Sequence, residues 1–151
     1  MMLDADLREL LALLIANQVE FLVAGGHAVA FHGYPRFTED LDLYVRPSPE
    51  NAARVMAALQ TLGFGNVGIA AEDFVADDRV IQLGRAPNRV DLLTRLWGID
   101  FDGAWARRVT GTLDEIPVSM LSKTDLIRNK RATARPQDLA DAAALEALDE
   151  P

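Results

Sequence analysis

The stretch from Phe21 to Val45 constrains this chain most, because an apolar run, a glycine pair and an alternating acidic segment follow one another without interruption. Val19-Glu-Phe-Leu-Val-Ala24 predicts a buried strand, and Gly25-Gly26 ends it. His27 to Phe31 reads as a brief helix, punctuated by Gly33-Tyr34-Pro35. Residues 39–45 then alternate, with Asp40, Asp42 and Tyr44 on one face and Leu41, Leu43 and Val45 on the other. Along such a strand Asp40 and Asp42 stand about 6–7 Å apart. Glycines let a backbone approach a ligand closely, and the N-terminus of a following helix attracts phosphate. Like-charged carboxylates at close range call for a cation, and Mg²⁺ takes one or two of them together with phosphate oxygens. Taken separately, each half has an ordinary alternative: a tight turn for the glycines, a solvated edge strand for the acids.

The flanking sequence predicts alternating helices and strands. Leu7, Leu10, Leu11 and Leu14 make one apolar stripe, so residues 4–17 are expected to be helical, capped by Asp4 or Asp6. Ser48-Pro49-Glu50 is a helix start, Val55, Met56, Leu59 and Leu62 its buried face, and Gly63 its stop. Residues 73–76 and 79–84 are expected to be two strands joined at Asp77-Asp78, with a turn at Ala86-Pro87-Asn88 and a strand at 89–94. A short helix is expected near 101–107 and one or two strands between Thr110 and Met120. Trp97 and Trp105 are expected to serve packing rather than to form a stacking platform. Ser122-Lys-Thr-Asp125 resembles a capping box opening a helix to about Arg131, and Arg135-Pro-Gln-Asp138 starts a last helix to about Leu148. The whole is a single α/β (α+β) domain over 1–151, with a core at about 1–108 and a C-terminal helical pair at about 121–149.

Composition narrows the chemistry. There is no cysteine among the 151 residues, which excludes disulfides and thiolate metal sites. The apolar run Leu10 to Ala16 is too short to span a bilayer, and the acidic start is unlike a secretory signal. A cytoplasmic protein without membrane attachment is expected. A net charge of −8 argues against a broad nucleic-acid-binding face. The segment Lys123 to Arg135 nevertheless carries five basic residues and one acid, which reads either as a solvated helix face or as a local contact for phosphate or an RNA end. His27 and His32 are expected to be structural.

Asp91 lies within Val90-Asp91-Leu92-Leu93, a carboxylate inside a buried strand pattern that needs a partner. If that strand pairs beside residues 39–45, three aspartates converge, a set that can hold two metals for phosphoryl or nucleotidyl transfer. Gly25-Gly26, Asp40-Leu-Asp42 and the distant Val-Asp91-Leu together resemble the DNA polymerase β-type nucleotidyltransferase superfamily. Within it, His32-Gly-Tyr-Pro-Arg36-Phe-Thr38-Glu-Asp-Leu-Asp and Lys130-Arg-Ala-Thr-Ala-Arg135-Pro-Gln-Asp138-Leu-Ala-Asp141 resemble small bacterial proteins related to the abortive-infection (type IV toxin) nucleotidyltransferases.

The resemblance implies a mixed β-sheet flanked by helices and an Mg²⁺-dependent transfer of an NMP from an NTP to an acceptor hydroxyl, with release of pyrophosphate. It implies Asp40, Asp42 and Asp91 as catalytic metal ligands, with Gly25, Gly26, Arg36, Lys130 and Asp138 around the nucleotide. Arg36 has a surface ion pair as its alternative role, Lys130 a solvated position and Asp138 stabilisation of a helix N-terminus. An RNA end or a protein is the expected acceptor. A small molecule of the aminoglycoside or lincosamide kind is an alternative, and an acidic cleft would suit it. A non-catalytic nucleotide-binding or antitoxin-like module is the other, with a homodimer or toxin–antitoxin partner as a possible companion. Many superfamily members have Gly-Ser where this chain has Gly25-Gly26.

Overall fold

The computed structural model describes residues 5–38, 40–63, 68–84 and 89–148. The helical stripe appears as expected: α1 (Ala5–Ala16) buries Leu7, Leu10, Leu11 and Leu14. Asp6 sits in its first turn, while Asp4 lies outside the described residues. The fully buried strand β1 (Phe21–Ala24) runs directly into α2 (Gly25–Phe31), so this helix includes both glycines rather than beginning at His27. Strand β2 (Leu41–Val45) follows; Glu39, at the head of the expected strand, is outside the described residues.

Helix α3 (Pro49–Leu62) has the expected ends, with Ser48 Oγ accepting from the Asn51 N–H at 3.2 Å and Gly63 left-handed at φ 99°. Buried Asn51 ties α3 to the sheet. Its Oδ1 accepts from Glu20 N–H at 2.8 Å, and its amide donates to the Glu20 and Arg46 carbonyls at 3.0 Å each. Residues 73–76 do not form a strand. A 3₁₀ turn at Ala71–Phe74 replaces it, because Asp73 Oδ2 accepts from the Ala70 N–H at 2.9 Å and Phe74 is wholly buried. The expected turn at 86–88 lies outside the described residues.

The remaining elements are β3 (Val80–Leu83), β4 (Val90–Leu93), α4 (Phe101–Ala106), β5 (Val109–Leu113), β6 (Ile116–Met120), α5 (Lys123–Thr133) and α6 (Pro136–Ala147). One mixed sheet results, in the order β3-β4-β2-β1-β6-β5. β1 pairs antiparallel with β2 and parallel with β6, whereas β2 pairs parallel with β4. The parallel pair needs a crossover, which α3 and the 3₁₀ turn supply. Its register sets Asp42 beside Asp91. Leu22, Leu41, Leu43, Leu92 and Met120 fill the interior under α1, α3 and α5.

The two tryptophans part company. Trp105 stacks on Phe101 with ring centroids 5.7 Å apart, as a packing residue should, but Trp97 is 51% exposed. His32 is structural, with Nε2 2.7 Å from the Leu121 carbonyl, and His27 is buried. No described helix is long and apolar enough to cross a membrane.

Candidate active site

The C-terminal end of β1, the acidic face of β2 and the start of β4 open onto one cleft of about 600 Å³. All eight residues singled out from the sequence line it: Gly25, Gly26, Arg36, Asp40, Asp42, Asp91, Lys130 and Asp138. The convergence follows from strand pairing. Ala24 opposes Asp42 across the β1–β2 pair, and Asp42 opposes Asp91 across the β2–β4 pair.

The glycine pair is required by close contact. Gly25 has φ +63°, and a Cβ there would overlap Asp42 Oδ2, with Asp42 Cγ at 3.0 Å. Gly25→Ala is expected to cost about 1–2 kcal/mol in left-handed backbone alone. It would also push Asp42 aside. Urea unfolding followed by far-UV circular dichroism measures the loss of stability. At Gly26 a Cβ would come within 2.7 Å of Thr38 Oγ1 and 2.8 Å of Thr38 Cβ. The departure from Gly-Ser therefore has a local cause: Thr38 fills the space that a serine side chain would need.

Electrostatically the three aspartates are not equivalent. The Asp42 carboxyl is pushed up to about 6, first by burial and then by the neighbouring charges of Asp91 and Asp40, with Lys130 and Arg89 pulling the other way. Asp91 is also raised, again chiefly by burial, against the opposing charge of Arg89. Asp91 Oδ1 is buried without a hydrogen-bond partner.

Arg89, which the sequence reading passed over, stands among these acids. Its guanidinium lies 2.7 Å from Asp40 Oδ2 and 3.3 Å from Asp91 Oδ1. Arg89 and Asp91 are two residues apart in an extended segment, so both side chains fall on one face of the sheet; that i, i+2 spacing was the available signal. Among the described residues, no three acidic or imidazole groups are gathered closely enough to enclose an ion. Nonetheless the donor set fits Mg²⁺: hard carboxylate oxygens, a buried Asp91 Oδ1 that makes no hydrogen bond, and the Arg89 guanidinium standing in as the counter-cation.

The C-terminal helices close the other side of the cleft. Lys130 is buried rather than solvated, with Nζ 3.4 Å from Asp138 Oδ1 and 3.2 Å from Asp141 Oδ2. Arg36 reaches Asp141 at 3.0 Å, an ion pair that is partly buried rather than superficial. Asp138 does stabilise the start of α6, accepting from the Arg135 N–H at 3.2 Å, and it also accepts from Arg135 Nε at 2.7 Å. Arg135 also lines the cleft and Asp141 pairs with Lys130 and Arg36 behind it; the sequence reading placed both in the tail that carries the resemblance but gave neither a site role. The expected basic patch is largely neutralised: Arg128 pairs with Asp125, Arg131 with Glu146, and Lys130 and Arg135 with the acids just described.

The mixed six-stranded sheet flanked by helices is a nucleotidyltransferase fold; in it Asp40 immediately precedes β2, Asp42 lies on that strand and Asp91 stands in register on its parallel neighbour. The solution structure of the antibiotic-resistance factor ANT(2'')-Ia is similar at 15% identity with a TM-score of 0.57, over 95% of this chain and 81% of that one. A crystal structure of ANT(2'')-Ia in complex with adenylyl-2''-tobramycin aligns at 14% identity with a TM-score of 0.49, over 95% of this chain and 97% of that one. No family model matches the sequence, and no curated protein matches it.

Proposed function

We propose that this chain is an Mg²⁺-dependent nucleotidyltransferase that moves an NMP from an NTP to a hydroxyl of a small-molecule acceptor, releasing pyrophosphate. The observation that carries the reading is the register of β2 and β4, which sets Asp42 beside Asp91 at the mouth of the cleft that Gly25 and Gly26 also line. Asp40, Asp42 and Asp91 would hold Mg²⁺. When bound, the ion supplies charge neutralisation at the α-phosphate and the departing pyrophosphate.

The chain's own groups account for the remaining work. Asp91, whose Oδ1 makes no hydrogen bond and is held only by the Arg89 ion pair, is placed to accept the proton of the attacking hydroxyl. Gly25 and Gly26 give the triphosphate close access to backbone. Arg135 lines the cleft wall, where it pairs with Asp138.

A small-molecule acceptor is favoured on two grounds. ANT(2'')-Ia, whose solution structure shares the fold, is an antibiotic-resistance factor. In addition, the basic segment that would have favoured an RNA end is occupied by internal ion pairs. The relation to abortive-infection toxins, and transfer to RNA or protein, rank below it for that second reason.

The test incubates the protein with each α-labelled NTP, Mg²⁺ and separate acceptors: tobramycin, kanamycin, total tRNA and a protein extract. Labelled aminoglycoside, absent with EDTA, is the expected result. Label on tRNA alone would move the function to the toxin-like class, and no labelled product from any acceptor would overturn the enzyme reading.

A further inference from the structure

On the basis of the transferase reading above, we propose that the flank of the cleft formed by Val80, Leu93 and Trp97 is the acceptor subsite, and that it takes a cationic, hydroxylated ring of the amino-sugar class. Sheet order gives the direction. Moving across the sheet, the glycine loop leaves from β1, Asp42 stands on β2, Asp91 on β4 and Val80 on β3. Neighbouring strands are about 4.8 Å apart, so the glycines and β3 lie on opposite sides of the aspartates. In-line displacement at phosphorus brings the attacking oxygen in opposite the leaving group. With the triphosphate against Gly25 and Gly26, the acceptor enters from the β4–β3 side.

That side has an apolar floor. Leu93 follows Asp91 by two residues and shares its face of the sheet, and Val80 is its register partner on β3. Both therefore sit about 7 Å along the strands from the Asp91 row. Val80 is 54% exposed and Trp97 is 51% exposed, and each lines the cleft. The Arg95 guanidinium covers part of that indole, and the rest of the ring is open to the cleft.

Trp97 is also held in place. Its carbonyl accepts from the Asn129 side-chain amide of α5 at 2.9 Å, and Leu96 and Ile99 bridge across the turn that carries it. The next residue, Gly98, has φ +79°, and a Cβ there would meet Ala132 Cβ at 2.9 Å, so the turn is seated hard on α5. The backbone that carries the ring is thus fixed, and the Arg95 guanidinium packs on the ring itself.

The charge of the flank selects the ligand. The indole face already receives a cation: the Arg95 guanidinium lies 4.4 Å from the Trp97 ring centroid, and Asp77 holds Arg95 at 2.9 Å. The exposed carboxylate of Asp78 lines the same wall. An electron-rich ring face, an aliphatic floor and a carboxylate together suit a sugar ring bearing an ammonium group, whose C–H face stacks while its amine pairs with Asp78.

The test reads Trp97 directly. In a Trp105→Phe protein Trp97 is the only indole, and neamine, a two-ring amino sugar, is expected to quench and blue-shift its emission saturably. ATP with Mg²⁺ alone is expected to leave that emission unchanged. In the transfer assay Trp97→Ala is expected to raise the acceptor KM by at least 10-fold and to leave the ATP KM within two-fold. Emission that responds to ATP and not to neamine would overturn the proposal by assigning the flank to the nucleobase, and so would an unchanged acceptor KM in Trp97→Ala. Neamine binding at Trp97 without any transfer would sustain this subsite while refuting the enzyme, so the two failures are distinguishable.

Discussion

Asp42→Asn is expected to abolish nucleotide transfer and at the same time to raise thermal stability at neutral pH. The Asp42 carboxyl titrates near 6 in the folded protein because burial and the charges of Asp91 and Asp40 oppose its ionisation, against an ordinary 3.8. A carboxyl raised in this way contributes stability that is fully present below its unfolded pKa and is lost as pH rises through the folded value. Between about pH 4 and pH 6 the wild-type protein should therefore lose up to about 3 kcal/mol from this group. Asparagine keeps the shape and removes the charge, so at pH 7.5 the variant should melt about 5–10 °C higher. The difference should vanish below pH 4. Under the proposed function, in which Asp42 would hold Mg²⁺, the substitution should cost transfer at least about 10³-fold, the equivalent of several kcal/mol of charge stabilisation. Adding Mg²⁺ should raise the melting temperature of the wild type and leave that of Asp42→Asn unmoved. Scanning calorimetry at pH 3.5 and 7.5, with and without Mg²⁺, checks each part. A variant that melts lower than wild type at pH 7.5, or one that still transfers, would refute the placement of Asp42 in a crowded anionic site.

Lys130→Met should have the opposite character, with a large loss of stability. Lys130 is buried between Asp138 and Asp141, which also receive Arg135, Arg36 and Gln137. Removing one partner from a buried ionic network leaves uncompensated charge and costs about 3–5 kcal/mol. In a chain of 151 residues that corresponds to about 10 °C or more in melting temperature. The same network gives acid sensitivity. Burial alone would raise the Asp138 carboxyl, but hydrogen bonds from Arg135 and Thr133 and the charges of Lys130 and Arg135 hold it down at about 2. Its contribution of about 2 kcal/mol is present above pH 4 and is lost as pH falls towards 2. Urea unfolding at pH 7 and pH 3 measures both effects. An unchanged unfolding midpoint in Lys130→Met, with a raised KM for the nucleotide, would show instead that Lys130 serves the ligand and not the fold.

The contrast between these two residues shows where the sequence is informative. Asp40, Asp42 and Asp91 were legible because a charged residue in an apolar, period-two pattern is conspicuous, and strand geometry dictates which side chains share a face. Ser48 and Gly63 were legible as helix ends for a similar reason: capping depends on groups within a few residues of each other. Lys130 was named only through the resemblance, with a solvated position as its alternative, since nothing local distinguishes a buried lysine from a solvated one. Its acids lie 8 and 11 positions away on the next helix, and only the packing of α5 against α6 brings them to it. Residues 73–76 misled for the converse reason, with one side-chain cap and one buried phenylalanine outweighing strand propensity.

The order of local structure, from the strand into the glycine pair and on to the acidic strand, was determined by the sequence alone, because propensity, capping and alternation act over a few residues. Tertiary structure decided what those pieces meet. The parallel register of β2 and β4 put Asp42 beside Asp91, Thr38 took the space beside Gly26, Arg89 came to stand among the acids, and Trp97 was left exposed at the cleft. Each of these depends on contacts between segments far apart in the chain, and the energies that select among such contacts belong to the assembled core rather than to any one stretch of it.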